Sequence, residues 1–274
     1  MDLTKAKVVV TGAARGLGRV IAEAFGNAGA QVALVDVLDD VNATAEELVS
    51  AGMKVLPVVA DTTDRDDVDG MVAKVLDAFG CVDLLVNNAG TFSVVGPVWE
   101  VDPEKWFRDV KVNLYGSFLV SRAVVKGMVE RGSGYVINIV SGGGVGDPHP
   151  FSTSYASSKT GLMRLTEGLA VEAKPYGVKV FAVGPPAIRT QMTEFLMDDE
   201  GAKTWRPTFG NIFSEGRDAP PELVSDFIVQ LVSGKADALT GRFFDPRRNF
   251  DGYVTDAERI VAEDLWTLRI TGRK

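Results

Sequence analysis

Tyr155 and Lys159 stand four residues apart in the stretch "SYASSK", residues 154–159, with only small residues between them. On a helix, positions i and i+4 share a face, so the phenol and the ammonium point into the same space. A free tyrosine titrates near about 10, and a neighbouring positive charge favours the phenolate. The spacing therefore suits a tyrosine that exchanges protons near neutral pH. A solvated pair on a surface helix is the alternative, because many such helices carry this spacing.

Two further polar residues stand where they could join this pair. Ser141 ends the apolar run "GYVINIV", shortly before the segment of Tyr155. Open α/β sheets bind ligands at the carboxyl ends of their strands, so the Ser141 hydroxyl could hold a substrate oxygen beside the phenol. Asn113, in "VKVNLYG", falls inside a predicted long helix, where asparagine is a poor helix former. We interpret it as a buried amide bound to backbone and water, with a helix kink or an ordinary core amide as the alternative.

A glycine-rich turn, "TGAARGLGR" at residues 11–19, follows the first apolar run directly. Its glycines, Gly12, Gly16 and Gly18, permit a tight turn and close approach of the backbone to a pyrophosphate. The following helix would aim its N-terminus at that negative charge. Three glycines alone are a weak signal, but their position between a predicted strand and a predicted helix favours dinucleotide binding over an ordinary turn.

The second apolar run, "QVALVDV", places Asp36 at its end. A carboxylate there can accept hydrogen bonds from both hydroxyls of an adenosine ribose and would repel a 2′-phosphate. Arg15, in the glycine-rich turn, could instead pair with such a phosphate. Because the uncharged Val37 follows Asp36, the pattern favours NAD over NADP.

The elements that must position these residues alternate along the chain. Continuous apolar runs, typical of strands covered on both faces, occupy residues 8–10, 32–35, 55–59, 84–86, 136–140 and 178–183, and a short strand is predicted around 241–244. Segments of helical periodicity separate them. This alternation predicts an α/β fold, a doubly wound parallel sheet of about seven strands with helices on both faces, in a single domain spanning residues 1–274.

Two segments depart from the alternation. Residues 185–220 are rich in proline, methionine and aromatic residues, which predicts an ordered substrate loop. A helix is predicted over 220–232, and residues 245–274 form a C-terminal extension. In that extension, Thr255 to Glu258 fit a capping box. An apolar stripe then predicts a final amphipathic helix docked on the body or on a neighbouring subunit, and it comprises Ala257, Ile260, Val261, Leu265 and Leu268.

Composition narrows the partners and the compartment. A formal net charge of −8 gives no basic surface for nucleic acid. The sequence contains no apolar stretch of about 18 residues, so no membrane span is predicted. The short apolar run near the N-terminus does not fit a secretory signal. One cysteine, Cys81, excludes an intrachain disulfide and favours a reducing compartment, so we expect a cytoplasmic protein. The sequence contains no cluster of histidine, cysteine and carboxylate residues with the spacing of metal ligands, so no metal site is predicted.

Taken together, these motifs resemble the short-chain dehydrogenase/reductase family over roughly residues 5–245. The resemblance rests on "TGAARGLG", Asp36, Asp61 in "VVADTTD", "NNAG" at 87–90, "VNLYG", Ser141 and "YASSK". It implies a Rossmann-type fold and a catalytic tetrad of Asn113, Ser141, Tyr155 and Lys159. By this resemblance Tyr155 exchanges the proton, Ser141 polarises the substrate carbonyl, Lys159 holds the nicotinamide ribose and Asn113 anchors a water that relays protons.

The resemblance also implies a set of cofactor contacts, shared among the glycine-rich turn, the strand ends and the loop after the sixth strand. Besides Tyr155 and Lys159, it comprises Gly12, Arg15, Gly16, Leu17, Gly18, Asp36, Asp61, Asn88, Ala89, Gly90, Pro185, Ile188 and Thr190. One position departs from the family pattern, since Pro186 stands where the family carries glycine. Proline has a fixed φ and no N–H, so the loop beside the nicotinamide is expected to run differently.

The resulting hypothesis is an NAD-dependent oxidoreductase that interconverts a secondary alcohol and a ketone, with Ser141, His149 and Met192 as candidate substrate contacts. A loop histidine is more often merely exposed, and the apolar residues of the 185–220 segment could equally be ordinary core. A non-catalytic dinucleotide-binding sensor or scaffold on the same fold is the second hypothesis, and a nucleotide-sugar epimerase or dehydratase is a third. Turnover of alcohols would separate the first two. The resemblance further implies a homotetramer.

Overall fold

Seven parallel strands form one sheet in the computed structural model, which describes residues 1–270. The sheet has the order β3-β2-β1-β4-β5-β6-β7, and every neighbouring pair is parallel. The strands are β1 (Lys7–Thr11), β2 (Gln31–Asp36), β3 (Lys54–Val59), β4 (Leu84–Asn87), β5 (Gly134–Ile139), β6 (Val178–Val183) and β7 (Phe243–Phe244). The predicted doubly wound parallel sheet of seven strands is confirmed.

Helices connect the strands and cover both faces of the sheet. They are α1 (Gly16–Asn27), α2 (Asp40–Ser50), α3 (Arg65–Phe79), α4 (Pro103–Val110), α5 (Ser117–Arg131), α6 (Thr153–Ala173), α7 (Gln191–Asp198), α8 (Glu200–Trp205), α9 (Asn211–Ser214), α10 (Glu222–Leu231), α11 (Phe250–Thr255) and α12 (Ala257–Ala262). A π-helical turn, Lys111–Gly116, joins α4 to α5. No helix among residues 1–270 has the length and apolar character needed to span a membrane.

The strands supply side chains to two separate cores because successive residues of a strand point to opposite faces. Val8 and Val10 of β1 belong to one core with Phe25 of α1 and Phe227 of α10. Val9, between them, belongs to the other core, with residues of α3 and α5. Burial on both faces explains why β1, β2, β4, β5 and β6 read as continuous apolar runs in the sequence, whereas the edge strand β3 is partly exposed.

The carboxyl ends of β1, β4 and β5 meet at one edge of the sheet. The strand order reverses direction between β1 and β4, and crevices outside such reversals bind ligands in open α/β sheets. The glycine-rich turn follows β1, Asn88 follows β4, and Ser141 lies two residues after β5. The topology therefore delivers the candidate residues to a common edge.

The 185–220 segment contains the three short helices α7, α8 and α9, and the predicted helix after it is α10. The prediction for the tail was wrong in detail. The helix α12 ends at Ala262, so Leu265 and Leu268 lie beyond it, and its N-cap Asp256 makes no side-chain capping hydrogen bond. The predicted capping box is therefore absent. The tail docks on the body of its own chain, where the Phe243 amide donates to the Trp266 carbonyl over 2.9 Å.

Candidate active site

The glycine-rich turn has a backbone that other residues would not fit. Gly12 and Gly16 have φ of +66° and +57°, in the left-handed region that glycine adopts at little cost. A Cβ on Gly18 would lie 2.0 Å from the Gly12 carbonyl oxygen. The turn therefore closes tightly before α1 begins at Gly16, with Leu17 half-buried in its first turn.

Residues that follow β4 brace this turn from below. The Asn88 side-chain amide donates to the carbonyls of Thr11 and Gly12 over 2.9 and 3.0 Å. The backbone amide of Ala89 donates to Thr11 Oγ1 over 3.0 Å. A Cβ on Gly12 would lie 2.8 Å from the Ala89 Cα, which shows how closely the two segments approach. Asn88 and Ala89 thus pack directly against the glycine-rich turn.

Asp36 lies at the end of β2 with its carboxylate largely buried. Its oxygens accept from the backbone amides of Ala14 and Leu38 over 2.9 and 3.1 Å, which fixes the carboxylate beside the glycine-rich turn. The Arg15 side chain is exposed. Asp61 follows β3, the neighbouring strand, and one of its carboxylate oxygens accepts from the Thr63 amide over 2.8 Å.

Tyr155 and Lys159 share a face of α6, and Lys159 Nζ lies 5.8 Å from the centre of the tyrosine ring. The Ser141 side chain lies close enough to the phenol to lower its pKa. Its ring stacks on Phe92, with ring centres 4.6 Å apart and planes inclined by 12°. Ser141 itself accepts from the Gly143 amide over 3.2 Å. The phenol, the serine hydroxyl and the ammonium are therefore gathered at one point of the sheet edge.

Burial is the main cause of the pKa shifts of Tyr155 and Lys159 in the protein alone. It raises the pKa of Tyr155, and Asp109 raises it further, while Ser141 lowers it. Burial also lowers the pKa of Lys159 to about 8. Lys159 Nζ donates to the Ile139 carbonyl over 2.7 Å. In the protein alone, desolvation of the phenol therefore outweighs the contacts that favour the phenolate.

Asn113 occupies the π-helical turn between α4 and α5 and is fully buried. Its amide nitrogen donates to the Thr91 carbonyl and to Ser158 Oγ, each over 2.9 Å, and its oxygen accepts from the Thr91 amide over 2.8 Å. A Cβ on Gly90 would lie 3.1 Å from the Asn113 oxygen and 3.5 Å from Lys159 Nζ. Gly90 thus lets the amide and the ammonium line the same small space.

The loop after β6 closes over the glycine-rich turn. Thr190 caps α7 by accepting from the Thr193 amide, and its methyl carbon lies 3.7 Å from the position of a Cβ on Gly16. Ile188 is buried, and Pro185 and Pro186 are half-buried. A proline in place of the family glycine therefore still allows the loop to reach the turn.

An apolar cluster covers the side of Tyr155. Phe92, Val95, Leu196 and Ala202 form its buried part, and the residues packed against it are Phe151, Tyr155, Met192 and Phe209. Met192 and Tyr155 therefore pack against the same apolar cluster. His149 is exposed, and its ring lies 3.4 Å from the position of a Cβ on Gly143, near the turn that follows Ser141.

Sequence reasoning missed two neighbours of the phenol. Phe92 follows the "NNAG" motif by two residues, but its stack with Tyr155 spans 63 residues of chain and has no signature in the spacing. Asp109 stands four residues before Asn113, and this helical spacing could have indicated that both face the site.

These features fit a nicotinamide dinucleotide. The close glycine packing leaves bare backbone at the N-terminus of α1, which suits a pyrophosphate. Asp36 offers a fixed carboxylate for ribose hydroxyls at the next strand end.

Comparisons with known proteins give a consistent result. Residues 6–201 match the family model described as short chain dehydrogenase. Two curated relatives cover most of the chain. An NAD-dependent glycerol dehydrogenase of Listeria innocua is 30% identical over 246 residues, 88% of this chain and 91% of the relative. A trans-4-hydroxycyclohexanecarboxylate dehydrogenase of Sinomonas cyclohexanicum is 34% identical over 241 residues, 85% and 88% respectively.

Among solved structures, an actinorhodin polyketide ketoreductase with NADPH superimposes with a TM-score of 0.82 at 30% identity. The match covers 89% of this chain and 96% of that one. The similar proteins thus include one named for NAD and one solved with NADPH.

Proposed function

The chain belongs to the short-chain dehydrogenase/reductase family, and from this premise we propose that it is an NAD-dependent oxidoreductase interconverting a secondary alcohol and a ketone, with Tyr155 as general acid/base. The observation that carries the proposal is the convergence of three groups at one sheet edge. Tyr155 lies close enough to Ser141 for the serine to lower the pKa of the phenol, and it lies on the same helix face as Lys159. A phenol held this way can move a proton at an oxygen that the serine also binds.

Each residue has a defined task in this proposal. The bound nicotinamide supplies or accepts the hydride. During alcohol oxidation, the Tyr155 oxygen takes the proton of the substrate hydroxyl, and during ketone reduction it returns one. The Ser141 hydroxyl donates a hydrogen bond to the same substrate oxygen and so stabilises the charge that develops there. The charged form of Lys159 favours the phenolate through Coulomb attraction and holds the nicotinamide ribose.

Asp36 supports the choice of NAD. Its carboxylate is fixed by two backbone amides, so it cannot turn aside easily for a 2′-phosphate. The exposed Arg15 is the group that would favour NADP. We expect Asp36→Ser to lower the ratio of kcat/KM for NAD to that for NADP by about tenfold or more, since it removes the repulsion. Steady-state kinetics with both cofactors measure this ratio. An unchanged ratio would contradict the assignment, and Asp39→Ser, an exposed neighbour, serves as control.

The apolar cluster beside Tyr155 supports a substrate with a hydrocarbon body. Phe92, Met192 and Phe209 present carbon rather than hydrogen-bonding groups to this region. We therefore propose cyclic or aromatic secondary alcohols in preference to polyols. An apolar lining offers no hydrogen bonds to extra hydroxyls, so burying them costs free energy. Reduction of NAD by a panel of sugars, polyols, steroids and cyclic alcohols tests this, and faster turnover of glycerol than of cyclohexanols would contradict it.

The central test replaces the phenol. Tyr155→Phe should lower turnover by about 10²–10⁴-fold while NADH still binds, because only the proton-exchanging hydroxyl is lost. Tyr176→Phe is the matched control, since Tyr176 is 52% exposed after the end of α6 and should leave turnover unchanged. The proposal is refuted if Tyr155→Phe turns over every accepted alcohol at the rate of the native protein. NADH binding without turnover of any alcohol would instead favour a sensor or scaffold.

We also propose that the protein is a homotetramer. Tyr115 and Phe118 are 45% and 42% exposed near the junction of the π-helical turn with α5, and Val171 is 75% exposed on α6. These apolar side chains suit a helical interface with a second copy. Light scattering after size exclusion measures the mass, and Phe118→Glu should shift it to a smaller species, whereas a native monomer would contradict the proposal.

A further inference from the structure

Asp109 is a fully buried carboxylate in the last turn of α4, one helical turn before Asn113. One of its oxygens accepts from the Ser93 backbone amide over 2.7 Å. The other accepts from the Ser154 hydroxyl over 2.6 Å. Both bonds are donated to the carboxylate, so both favour its ionised form.

The two partners of Asp109 flank a pair of stacked rings. Ser93 directly follows Phe92, and Ser154 directly precedes Tyr155. The rings of Phe92 and Tyr155 lie 4.6 Å apart, at an angle of 12°. A single buried carboxylate therefore ties together the two chain segments that carry the stack, although 61 positions separate Ser93 from Ser154.

We propose that Asp109 is a positioning residue for Tyr155, holding the Phe92–Tyr155 stack from both sides and placing a fixed negative charge behind the phenol. The inference rests on the proposed role of Tyr155. Burying a carboxylate costs free energy, and hydrogen bonds such as those from Ser93 and Ser154 offset that cost. An apolar side chain could fill the same volume but could hold neither Ser93 nor Ser154.

The negative charge of Asp109 should shift the pKa of Tyr155 in a direction that can be measured. Asp109 raises the pKa of Tyr155, because a nearby negative charge disfavours the phenolate. Burial raises the pKa of Asp109 itself, while its bonds from Ser93 and Ser154 and the neighbouring Arg108 lower it.

Other groups around the phenol act independently of Asp109. Lys159 lies on the same helix as Tyr155, 5.8 Å from the ring centre. His149 packs over the turn after Ser141. Arg206, in the 185–220 segment, donates to Ser152 Oγ over 3.1 Å at the start of α6. None of these groups changes in a variant confined to Asp109, so a shift in that variant reports on its carboxylate.

Asp109→Asn is the first test, because the amide keeps an acceptor for Ser93 and loses the charge. In alcohol oxidation Tyr155 must be deprotonated, so kcat/KM rises with pH through the titration of the phenol. Removing the negative charge should move this rising limb to lower pH, with kcat reduced about tenfold by looser positioning. A limb that stays at the native pH overturns the proposal.

Ser154→Ala is the second test and keeps the proposal falsifiable if Asp109→Asn does not fold. It removes one tether and leaves the carboxylate in place. We expect kcat to fall severalfold, while the rising limb does not move to lower pH. A native kcat in Ser154→Ala would show that the tether does not position Tyr155, and would overturn the proposal.

Glu167→Gln is the matched control, since Glu167 is also a buried carboxylate on an element of the site. It accepts from the Leu268 amide over 2.7 Å, on the tail side of α6. We expect its pH profile to match that of the native protein, and a shift equal to that of Asp109→Asn would overturn the assignment to Asp109. Tyr155→Phe separates the two proposals, because full turnover in that variant refutes the function itself, whatever the Asp109 variants show.

Discussion

The cofactor edge, formed by the ends of β1, β2 and β4 with the glycine-rich turn, and the 185–220 segment are built in different ways. At the cofactor edge, side chains bind backbone atoms directly, as Asn88 does with Thr11 and Gly12. The 185–220 segment adds aromatic and cation–π contacts to its hydrogen bonds. Phe209 and Phe213 lie edge to face at 5.8 Å, and the Arg206 guanidinium lies 5.1 Å from the Phe209 ring.

This difference indicates which of the two regions can accept substitutions and thereby bind a different ligand. Hydrogen bonds between fixed groups are directional, so the cofactor edge accepts only one backbone geometry. Aromatic and methionine contacts are less directional and tolerate replacement if volume is kept. We therefore expect substitutions at the cofactor edge to abolish binding of the cofactor, and those in the 185–220 segment to alter which substrates are used.

The largest effect is expected from Gly18→Ala. The new Cβ would lie 2.0 Å from the Gly12 carbonyl oxygen, so the backbone of the turn must move. A displacement of about 1 Å at such a site can cost about a hundredfold, and NADH should bind at least that much more weakly. A fluorescence titration with NADH measures the loss.

Gly168→Ala is the control for this substitution. Gly168 lies on α6, and apart from its chain neighbours and its own helix backbone nothing lies within 4 Å of its added Cβ. Alanine there should leave NADH affinity unchanged and stabilise the protein by up to about 1 kcal/mol, because glycine is a poor helix former. Equal affinities for Gly18→Ala and the native protein would show that the turn is not the phosphate site.

The strands and the glycine-rich turn could be predicted because their physics is local. Strands buried on both faces must be apolar at every position, and the seven predicted strands match β1 to β7. The turn of Gly12 to Gly18 needs glycine at fixed positions, which spacing reveals. The grouping of Ser141 with Tyr155 also follows from topology, since strand ends of a parallel sheet share one edge.

The tail and the second layer around Tyr155 could not be predicted because their determinants are distant in sequence. Asn249 caps α11 through the Asp251 amide, so a helix starts earlier than the apolar stripe indicated. Trp266, beyond the end of α12, packs against Phe243 with ring centres 6.4 Å apart. Similarly, Asp109 binds Ser93 and Ser154, contacts that a single sequence does not display.

A second prediction concerns Lys159 on α6, outside both of these regions, and measures the stability of the protein against pH. Burial lowers the pKa of Lys159 from 10.5 to about 8 in the folded protein. Between these values the unfolded chain binds the proton and the folded protein does not, so stability rises with pH. Relative to Lys159→Met, the free energy of unfolding of the native protein should increase by about 2 kcal/mol from pH 8 to pH 10.

Denaturant titrations without added nucleotide measure this difference at each pH. Lys54→Met, at an exposed position of β3, is the control. The difference in free energy of unfolding between the native protein and Lys54→Met should stay constant from pH 8 to pH 10. If the native protein and Lys159→Met keep a constant difference over this range, the ammonium of Lys159 is not desolvated in the folded state.

The smallest effect is expected in the 185–220 segment. Phe209→Ala removes a half-buried ring from the apolar cluster beside Tyr155, which corresponds to about 1.5 kcal/mol of lost apolar contact. KM for a bulky alcohol should therefore rise roughly tenfold, with NADH affinity unchanged. Phe195→Ala, on α7 of the same segment and 54% exposed, should change neither quantity.

This pair of variants separates a substrate-binding segment from ordinary core. Loss of a core residue would lower stability and reduce NADH affinity together with substrate affinity, since the fold that carries both sites would loosen. A selective rise in KM requires that Phe209 contact the substrate while the cofactor edge stays intact. If Phe209→Ala weakens NADH binding as much as it raises KM, the two regions are mechanically coupled and the division between a rigid cofactor edge and an adaptable segment fails.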